Sequence, residues 1–220
     1  MATEIEIKLA FEKGSSEPQI KSFETVLKSF GSDYFFSKKD LENVYFDTAE
    51  LLLNKNKVAL RIRRKLTAQG QAHFIQTLKT AGKSEDGLSL RGEWEWALAQ
   101  DELDLDKLVT CEGWPAKVNG RSLQRAFETN FTRFACELTW GKSLIELVLD
   151  WGNILSNGKS ERIHEIELEL KQGETADLLA LSQYLQEALP VRPLDISKAE
   201  RGFNLFRTGQ GKTEIELDKQ

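Results

Sequence analysis

Glu4, Glu6 and Lys8 stand at every second position of the first extended stretch, with Ile5, Ile7 and Leu9 between them. In a β-strand successive side chains point to opposite faces, so one face here is charged and the other apolar. The alternation recurs. Arg61, Arg63 and Lys65 oppose Leu60 and Ile62. Thr77 and Lys79 oppose Gln76 and Leu78. Arg91, Glu93 and Glu95 oppose Leu90, Trp94 and Trp96, and Glu165, Glu167 and Glu169 oppose Ile166, Leu168 and Leu170. Brought together, Lys8, Arg61, Arg63, Lys79, Arg133 and Lys198 could hold a polyanion through charge-assisted hydrogen bonds, the arginine forks matching phosphate oxygens. Glu4, Glu6, Glu93, Glu165 and Glu167 would repel that polyanion unless hard divalent cations lay between, and carboxylates suit Mg²⁺ or Mn²⁺. Basic wall, phosphates, metal and acidic wall in that order make the arrangement of metal-assisted phosphoryl transfer.

A charged strand face can simply be solvated. Three features of the set argue for an enclosed lumen. The charges are segregated by strand, whereas a solvated face favours mixed signs because like neighbours repel. The charged positions are dominated by Arg and Glu. The opposite faces are heavily apolar, and few amphipathic helices are present to cover them. Charged faces inside a closed barrel, with helices outside, satisfy all three.

The elements that must position these residues follow from the same patterning. A helix is expected between Ser16 and Gly31 on the apolar spacing of Ile20, Phe23, Val26, Leu27 and Phe30. Tyr34 to Phe46 reads as extended, Glu50 to Leu53 as a short helix, and 57–66 and 71–80 as a hairpin about Thr67-Ala68-Gln69-Gly70. The two-glycine segment from Ala81 to Gly87 reads as a mobile loop. Further strands are expected over 89–98, 127–140, 144–151 and 162–171. A short acidic helix is expected from Asp101 to about Thr110, an amphipathic helix from Ala176 to Leu189, and a last short helix capped by Ser197. The tail from Gly209 is polar and expected to fray. One antiparallel β domain with external helices results: α+β, residues 1–207, followed by a tail at 208–220.

Composition narrows the partners. A net charge of −5 over 220 residues excludes a general nucleic-acid or anionic-membrane surface, so any anion site must be a local concentration of Lys and Arg. Cys111 and Cys136 lack metal-ligand spacing and suit a reducing compartment. The start, Met-Ala-Thr-Glu-Ile-Glu, carries no signal-peptide pattern, and no stretch is apolar enough for a membrane span. A cytoplasmic protein is the expectation.

Glu4-Ile5-Glu6-Ile7-Lys8 resembles the E-x-E-x-K signature of the CYTH superfamily, the triphosphate tunnel metalloenzymes. Its followers come in order: Asn43-Val44-Tyr45-Phe46-Asp47-Thr48, Leu60-Arg61-Ile62-Arg63, Thr77-Leu78-Lys79, Arg91-Gly92-Glu93, Thr132-Arg133, Leu149-Asp150, Glu165-Ile166-Glu167 and Ser197-Lys198. The resemblance implies an eight-stranded antiparallel barrel around a tunnel. It implies triphosphate binding by Lys8, Arg61, Arg63, Lys79, Arg133 and Lys198. It implies metal binding by Glu4, Glu6, Asp150, Glu165 and Glu167, with Glu93 a further ligand, and a catalytic role for the Glu4, Glu6, Lys8 motif. One ion would bridge phosphate oxygens while a second acidified the attacking water. For Arg91, Glu95, Glu146, Glu169 and Arg201, a structural ion pair weighs at least equally. His73 and His164 are not expected to act as bases. Trp94 and Trp96 read as outer core; Trp140 and Trp151 lie near strand ends, where packing is the favoured role.

The 197–203 segment and the run of acidic and apolar residues at 163–170 resemble the bacterial inorganic triphosphatase branch. In that branch a helical, histidine-rich CHAD domain often follows the barrel; no such stretch occurs within these 220 residues. The expected activity is hydrolysis of inorganic triphosphate (tripolyphosphate) to pyrophosphate and phosphate with Mg²⁺ or Mn²⁺. Class IV adenylate cyclase and thiamine triphosphatase are the enzyme alternatives, and a non-catalytic polyphosphate-binding module is the alternative of another class. The expected partner is a small triphosphate, not nucleic acid or a membrane.

Overall fold

The computed structural model describes residues 2–12, 23, 25–26, 28, 36–66, 70–80 and 82–210. Most of the helix expected between Ser16 and Gly31, the tip of the first hairpin, Ala81 and the tail beyond 210 lie outside the described residues.

Eight long strands close into an antiparallel barrel. They are β1 (Ala2–Phe11), β2 (Ser37–Asp47), β3 (Ala59–Leu66), β4 (Ala72–Lys79), β6 (Leu88–Leu98), β7 (Gln124–Trp140), β8 (Ser143–Ser156) and β9 (Lys159–Gln172). Their order is β1-β9-β8-β7-β2-β3-β4-β6, and β6 returns to pair with β1. Closure removes the exposed sheet edge. Two three-residue strands extend the sheet locally: β5 (Lys83–Glu85) pairs with β6, and β10 (Val191–Pro193) pairs with β1. The expected mobile loop at 81–87 is therefore in large part a hairpin arm. Asp195 Oδ1 accepts from Gly87 N at 2.8 Å and Ser84 Oγ at 3.0 Å, pinning that arm to the segment before the last helix.

The apolar strand faces turn outward and are covered. Ile7, Leu9, Leu147, Leu149, Ile166 and Leu168 pack with Leu178, Leu181 and Leu185 of α3 (Thr175–Ala188). Each of these leucines is fully buried, a contribution of about 1.5–3 kcal/mol apiece. Asp177 fixes the first turn of α3 by accepting from Ser143 Oγ at 2.7 Å and Lys142 N at 3.0 Å. A second outer cluster holds Leu60, Ile62, Leu78, Trp94 and Trp96 against Leu53 of α1 (Leu52–Lys55) and Leu108 of α2 (Leu105–Val109), as expected for the two tryptophans.

Both short helices begin later than the sequence suggested because an aspartate holds backbone N–H groups of each first turn, Asp104 as the N-cap and Asp47 from the end of β2, before the N-cap Leu51. Asp47 accepts from Thr48 N, Leu53 N and Asn54 N at 2.7–2.9 Å, so α1 starts at Leu52 rather than Glu50. Asp104 accepts from Lys107 N at 3.1 Å, which leaves residues 101–103 outside α2.

The last helix, α4 (Lys198–Gln210), is longer than expected and is capped by Ser197 Oγ, which accepts from Glu200 N at 3.1 Å. It lies over one end of the barrel, where Tyr45, Phe127, Ile154 and Ile163 converge from lumen-facing positions around Phe203. The Phe203 and Phe127 rings meet edge to face at 5.0 Å. Gly202 permits this approach: a Cβ there would lie 2.0 Å from Phe127 Cε2.

Candidate active site

Strand register delivers the charged side chains. β1 and β6 place Glu4 opposite Arg91, and β4 and β6 place Lys79 opposite Glu93. Around the first motif, Lys79 Nζ donates to both oxygens of Glu4 at 2.9 Å and lies 3.2 Å from Glu93. Arg91 Nε donates to Glu4 at 2.8 Å while its Nη2 donates to Glu6. Lys8 Nζ donates to the same Glu6 oxygen at 3.0 Å, with both residues nearly fully buried. Burial works to raise the Glu4 carboxyl, but the Lys79 and Arg91 charges outweigh it and hold it at about 2.

The second cluster grows from a straight cross-strand row, Arg133 on β7, Asp150 on β8 and Glu165 on β9. Arg133 grips Asp150 with two parallel bonds, Nε to Oδ1 at 2.8 Å and Nη2 to Oδ2 at 2.6 Å, and also reaches Glu167. Lys198, the first residue of α4, points its ammonium at Asp150 (2.7 Å), Glu167 (2.8 Å) and Glu165. Arg201, one turn on, holds the other Glu165 oxygen at 2.9 Å and Glu161 at 2.6 Å. Burial disfavours the charge on Lys198, yet the three carboxylates outweigh it and raise the ammonium well above the ordinary lysine range. Burial likewise opposes the Glu167 carboxylate, which Lys198 and Arg133 hold well below the usual value.

Opposite these clusters stands a cationic wall with no carboxylate in ion-pair contact among the described residues. Arg63 Nε donates to Asn43 Oδ1 at 2.7 Å, and Arg61 reaches only Tyr45 Oη, at 3.5 Å. Arg61 Nε is buried without a hydrogen-bond partner. Burial, with the Arg61 and Arg133 charges, pushes Arg63 down to about 9. Burial would raise the Tyr45 hydroxyl, but Arg61, Arg63 and Lys198 outweigh it and bring it below the usual phenol range.

All of this surrounds one cavity of about 740 Å³. Glu4, Glu6, Lys8, Arg61, Arg63, Lys79, Glu93, Arg133, Glu167 and Lys198 line it, so strands β1, β3, β4, β6, β7 and β9 and helix α4 deliver their expected residues to one place. Asp150 and Glu165 sit behind Lys198, fully buried. The walls differ from the simple picture of separate basic and acidic faces. Lys8, Lys79, Arg133 and Lys198 are already paired with carboxylates, which leaves Arg61 and Arg63 as the expected anion ligands without such a partner. Arg91 and Arg201, weighed as structural pairs, are those pairs, and they grip Glu4, Glu6 and Glu165 themselves. Tyr45, Lys39 and Lys171 also line the cavity and were not singled out for it. Their places at alternate positions of β2 and β9 were the available signal.

Two aromatics near strand ends serve packing. Trp140 meets Tyr184 of α3 at 5.5 Å, and Trp151 carries Arg162 over its face at 4.6 Å and His164 at its edge. His164 stacks on Phe11, and burial with the Arg162 charge lowers it to about 4. It therefore sits in an aromatic stack on the outer, apolar-parity face of β9.

The carboxylates fit a hard divalent ion. Asp150, Glu165 and Glu167 each offer an oxygen within 4.8 Å of the others, an all-oxygen donor set of the kind Mg²⁺ or Mn²⁺ takes.

A closed antiparallel barrel whose lumen carries facing rows of arginine, lysine and carboxylate defines a charged-tunnel protein. The CYTH domain matches residues 2–203, and the chain belongs to that family. It is 33% identical over 211 residues to an inorganic triphosphatase of Haemophilus influenzae, a match covering 93% of this chain and 55% of that protein. The chain thus spans about half the length of that curated relative. Among solved structures it is similar to a proposed adenylyl cyclase of Hippeastrum with a dominant triphosphatase activity, with TM-score 0.59 and 23% identity over 94% of this chain and 96% of that one. It is also similar to the PH1819 protein of Pyrococcus horikoshii, with TM-score 0.58 and 20% identity over 91% of this chain and 98% of the other. These two likenesses bear on the fold, and they agree with the barrel expected from the sequence. No helix among the described residues is long and apolar enough to cross a membrane.

Proposed function

We propose that the barrel hydrolyses inorganic triphosphate to pyrophosphate and phosphate inside this cavity, with Mg²⁺ or Mn²⁺. The observation that carries the reading is the pair Arg61 and Arg63: two buried guanidiniums side by side, without carboxylate partners among the described residues, one with an unpartnered N–H. Such a pair is costly to bury unless an anion comes to it. Charged side chains make up the larger part of the lining, with Tyr45, Phe131 and Phe203 among the remainder, and that balance favours a substrate dominated by phosphate.

In this reading Arg61 and Arg63 orient the phosphate chain, and Lys8, Lys79, Arg133 and Lys198 exchange carboxylate for phosphate oxygens as it enters. Glu4, Glu6, Glu93, Asp150, Glu165 and Glu167 would hold the divalent ions. An ion bound there supplies charge neutralisation on the phosphates and a water acidified towards neutral pH. The unit that does this is the 1–207 barrel, acting on a small cytoplasmic triphosphate. The relative named for this activity supports it, within the share of its length that the chain covers. The test is phosphate release from tripolyphosphate, thiamine triphosphate and ATP, with and without each divalent ion. Release from tripolyphosphate with the highest kcat/KM, and only with metal, is the expected result. Cyclic AMP from ATP, or tight tripolyphosphate binding without metal-dependent release, overturns it.

A further inference from the structure

The Asp150, Glu165, Glu167 cage already contains a cation. Lys198 points its ammonium at three different carboxylates: it donates to Glu165 and, at 2.8 Å, to Glu167, and it lies 2.7 Å from Asp150 Oδ2. The remaining oxygens are also taken. Asp150 Oδ1 accepts from Arg133 Nε, Glu167 Oε2 from Arg133 Nη2, and Glu165 Oε2 from Arg201 Nη1. Every oxygen that could ligate a metal is occupied by a side-chain cation. Asp150, Glu165 and Glu167 are matched by Lys198, Arg133 and Arg201, the last shared with the more exposed Glu161, so the cage is largely buried and its own three carboxylates are already balanced. Adding a divalent ion to a buried cage whose carboxylates are already balanced leaves charge uncompensated in a poor dielectric, which is unfavourable.

Lys198 has somewhere else to go. Its side chain lines the cavity as well as the cage. Its ammonium stands 5.3 Å from the centre of the Phe131 ring, the same ring Arg133 approaches at 5.7 Å, and it is close enough to Tyr45 to help depress that hydroxyl. It sits on the first residue of α4, whose backbone is held by the Ser197 cap, so the side chain can turn without the helix moving.

We propose that Lys198 is the resident cation of this cage, and that a divalent ion enters only when a triphosphate in the cavity draws the ammonium away. The two ligands are then positively coupled: phosphate supplies negative charge to Lys198, and the emptied cage supplies it to the metal. This rests on the reading that Asp150, Glu165 and Glu167 hold a divalent ion. It adds that the chain carries its own antagonist of that ion, which protects the cage from idle metal binding when substrate is absent.

Mn²⁺ binding to the full chain without phosphate, followed by electron paramagnetic resonance of the free ion, tests it. Lys198→Met and Lys198→Gln should each tighten Mn²⁺ at least tenfold, after circular dichroism confirms folding. A lysine that served only to bind substrate would leave the affinity unmoved. Unchanged or weaker Mn²⁺ binding in these variants overturns the proposal, and if adding Asp150→Asn still abolishes that binding, the metal reading of the cage survives. If Asp150→Asn leaves Mn²⁺ binding untouched, the ion lies elsewhere and both readings fall. The wild-type chain gives a second arm that needs no variant. Mn²⁺ with a hydrolysis-resistant imidotriphosphate should raise the melting temperature by more than their separate rises combined; simple additivity overturns the coupling.

Discussion

Replacing Arg63 by methionine should stabilise the ligand-free protein while abolishing phosphate release. Arg63 is 8% exposed, and its guanidinium is pushed from its ordinary value down to about 9 by burial and by the neighbouring Arg61 and Arg133 charges. At about 1.36 kcal/mol per pH unit, its charge costs the fold roughly 4–5 kcal/mol. Methionine keeps the length and loses the charge, but also the 2.7 Å bond to Asn43 Oδ1, whose orphaning costs about 1–3 kcal/mol. A net gain of about 2 kcal/mol remains, which in a chain of this size raises the melting temperature by about 4–8 °C. The sign with pH follows. The folded pKa of this base is depressed, so its penalty is complete below about 9 and fades as pH rises above that towards the ordinary guanidinium value. Differential scanning fluorimetry of both proteins from pH 6 to 10 reads the effect, with phosphate release as companion. A fall in melting temperature would refute the reasoning: Arg63 would then be a strut of the fold, not a strained ligand awaiting an anion.

Glu6→Gln should both stop turnover and destabilise by about 3–5 kcal/mol, because Lys8, buried beside it, loses its carboxylate partner; urea unfolding and phosphate release check the two effects. The Glu4 ion pairs contribute stability that is complete above pH 4.5 and lost as pH falls towards 2, since its folded pKa is lowered to about 2. Glu4→Gln should therefore flatten melting temperature against pH in that window. Gly202→Ala should cost about 1–3 kcal/mol by overpacking against Phe127, read as a lower urea midpoint. His164 should titrate near 4 rather than near 6.5 in proton NMR; a midpoint above 6 would mean the Phe11–His164–Trp151 stack is open in solution.

The barrel was legible because alternation is local. Glu4, Glu6 and Lys8 declare a face within five residues, and the same holds for Arg61 with Arg63 and Glu165 with Glu167. Which charge meets which was not legible. Arg91 reaches Glu4 and Glu6 only through the β1–β6 register, and Arg201 reaches Glu165 only because α4 docks as it does. Neither relation leaves a trace in neighbouring residues. For the same reason the sequence suggested two opposed walls, where cross-strand pairing instead interleaves most of the cations with the carboxylates. Helix starts were misjudged where an aspartate held the first turn. Asp47 reads as part of a turn until its three backbone donors are counted, and Asp104 hides in an acidic run that resembles helix. The hairpin arm at 83–85 carries no alternation of its own; Asp195, more than a hundred residues on, holds it.

β1 has consequences for how the molecule is made. It pairs with β6 on one side and with β9 on the other. The opening stave of the barrel must therefore wait for a partner that leaves the ribosome about 150 residues later, roughly 8–30 s at ordinary rates of synthesis. Through that interval Ile5, Ile7 and Leu9 have neither their neighbouring strand β9 nor the leucines of α3 to cover them. The stretch richest in site residues is thus the one most in need of a chaperone's attention while the chain is still growing.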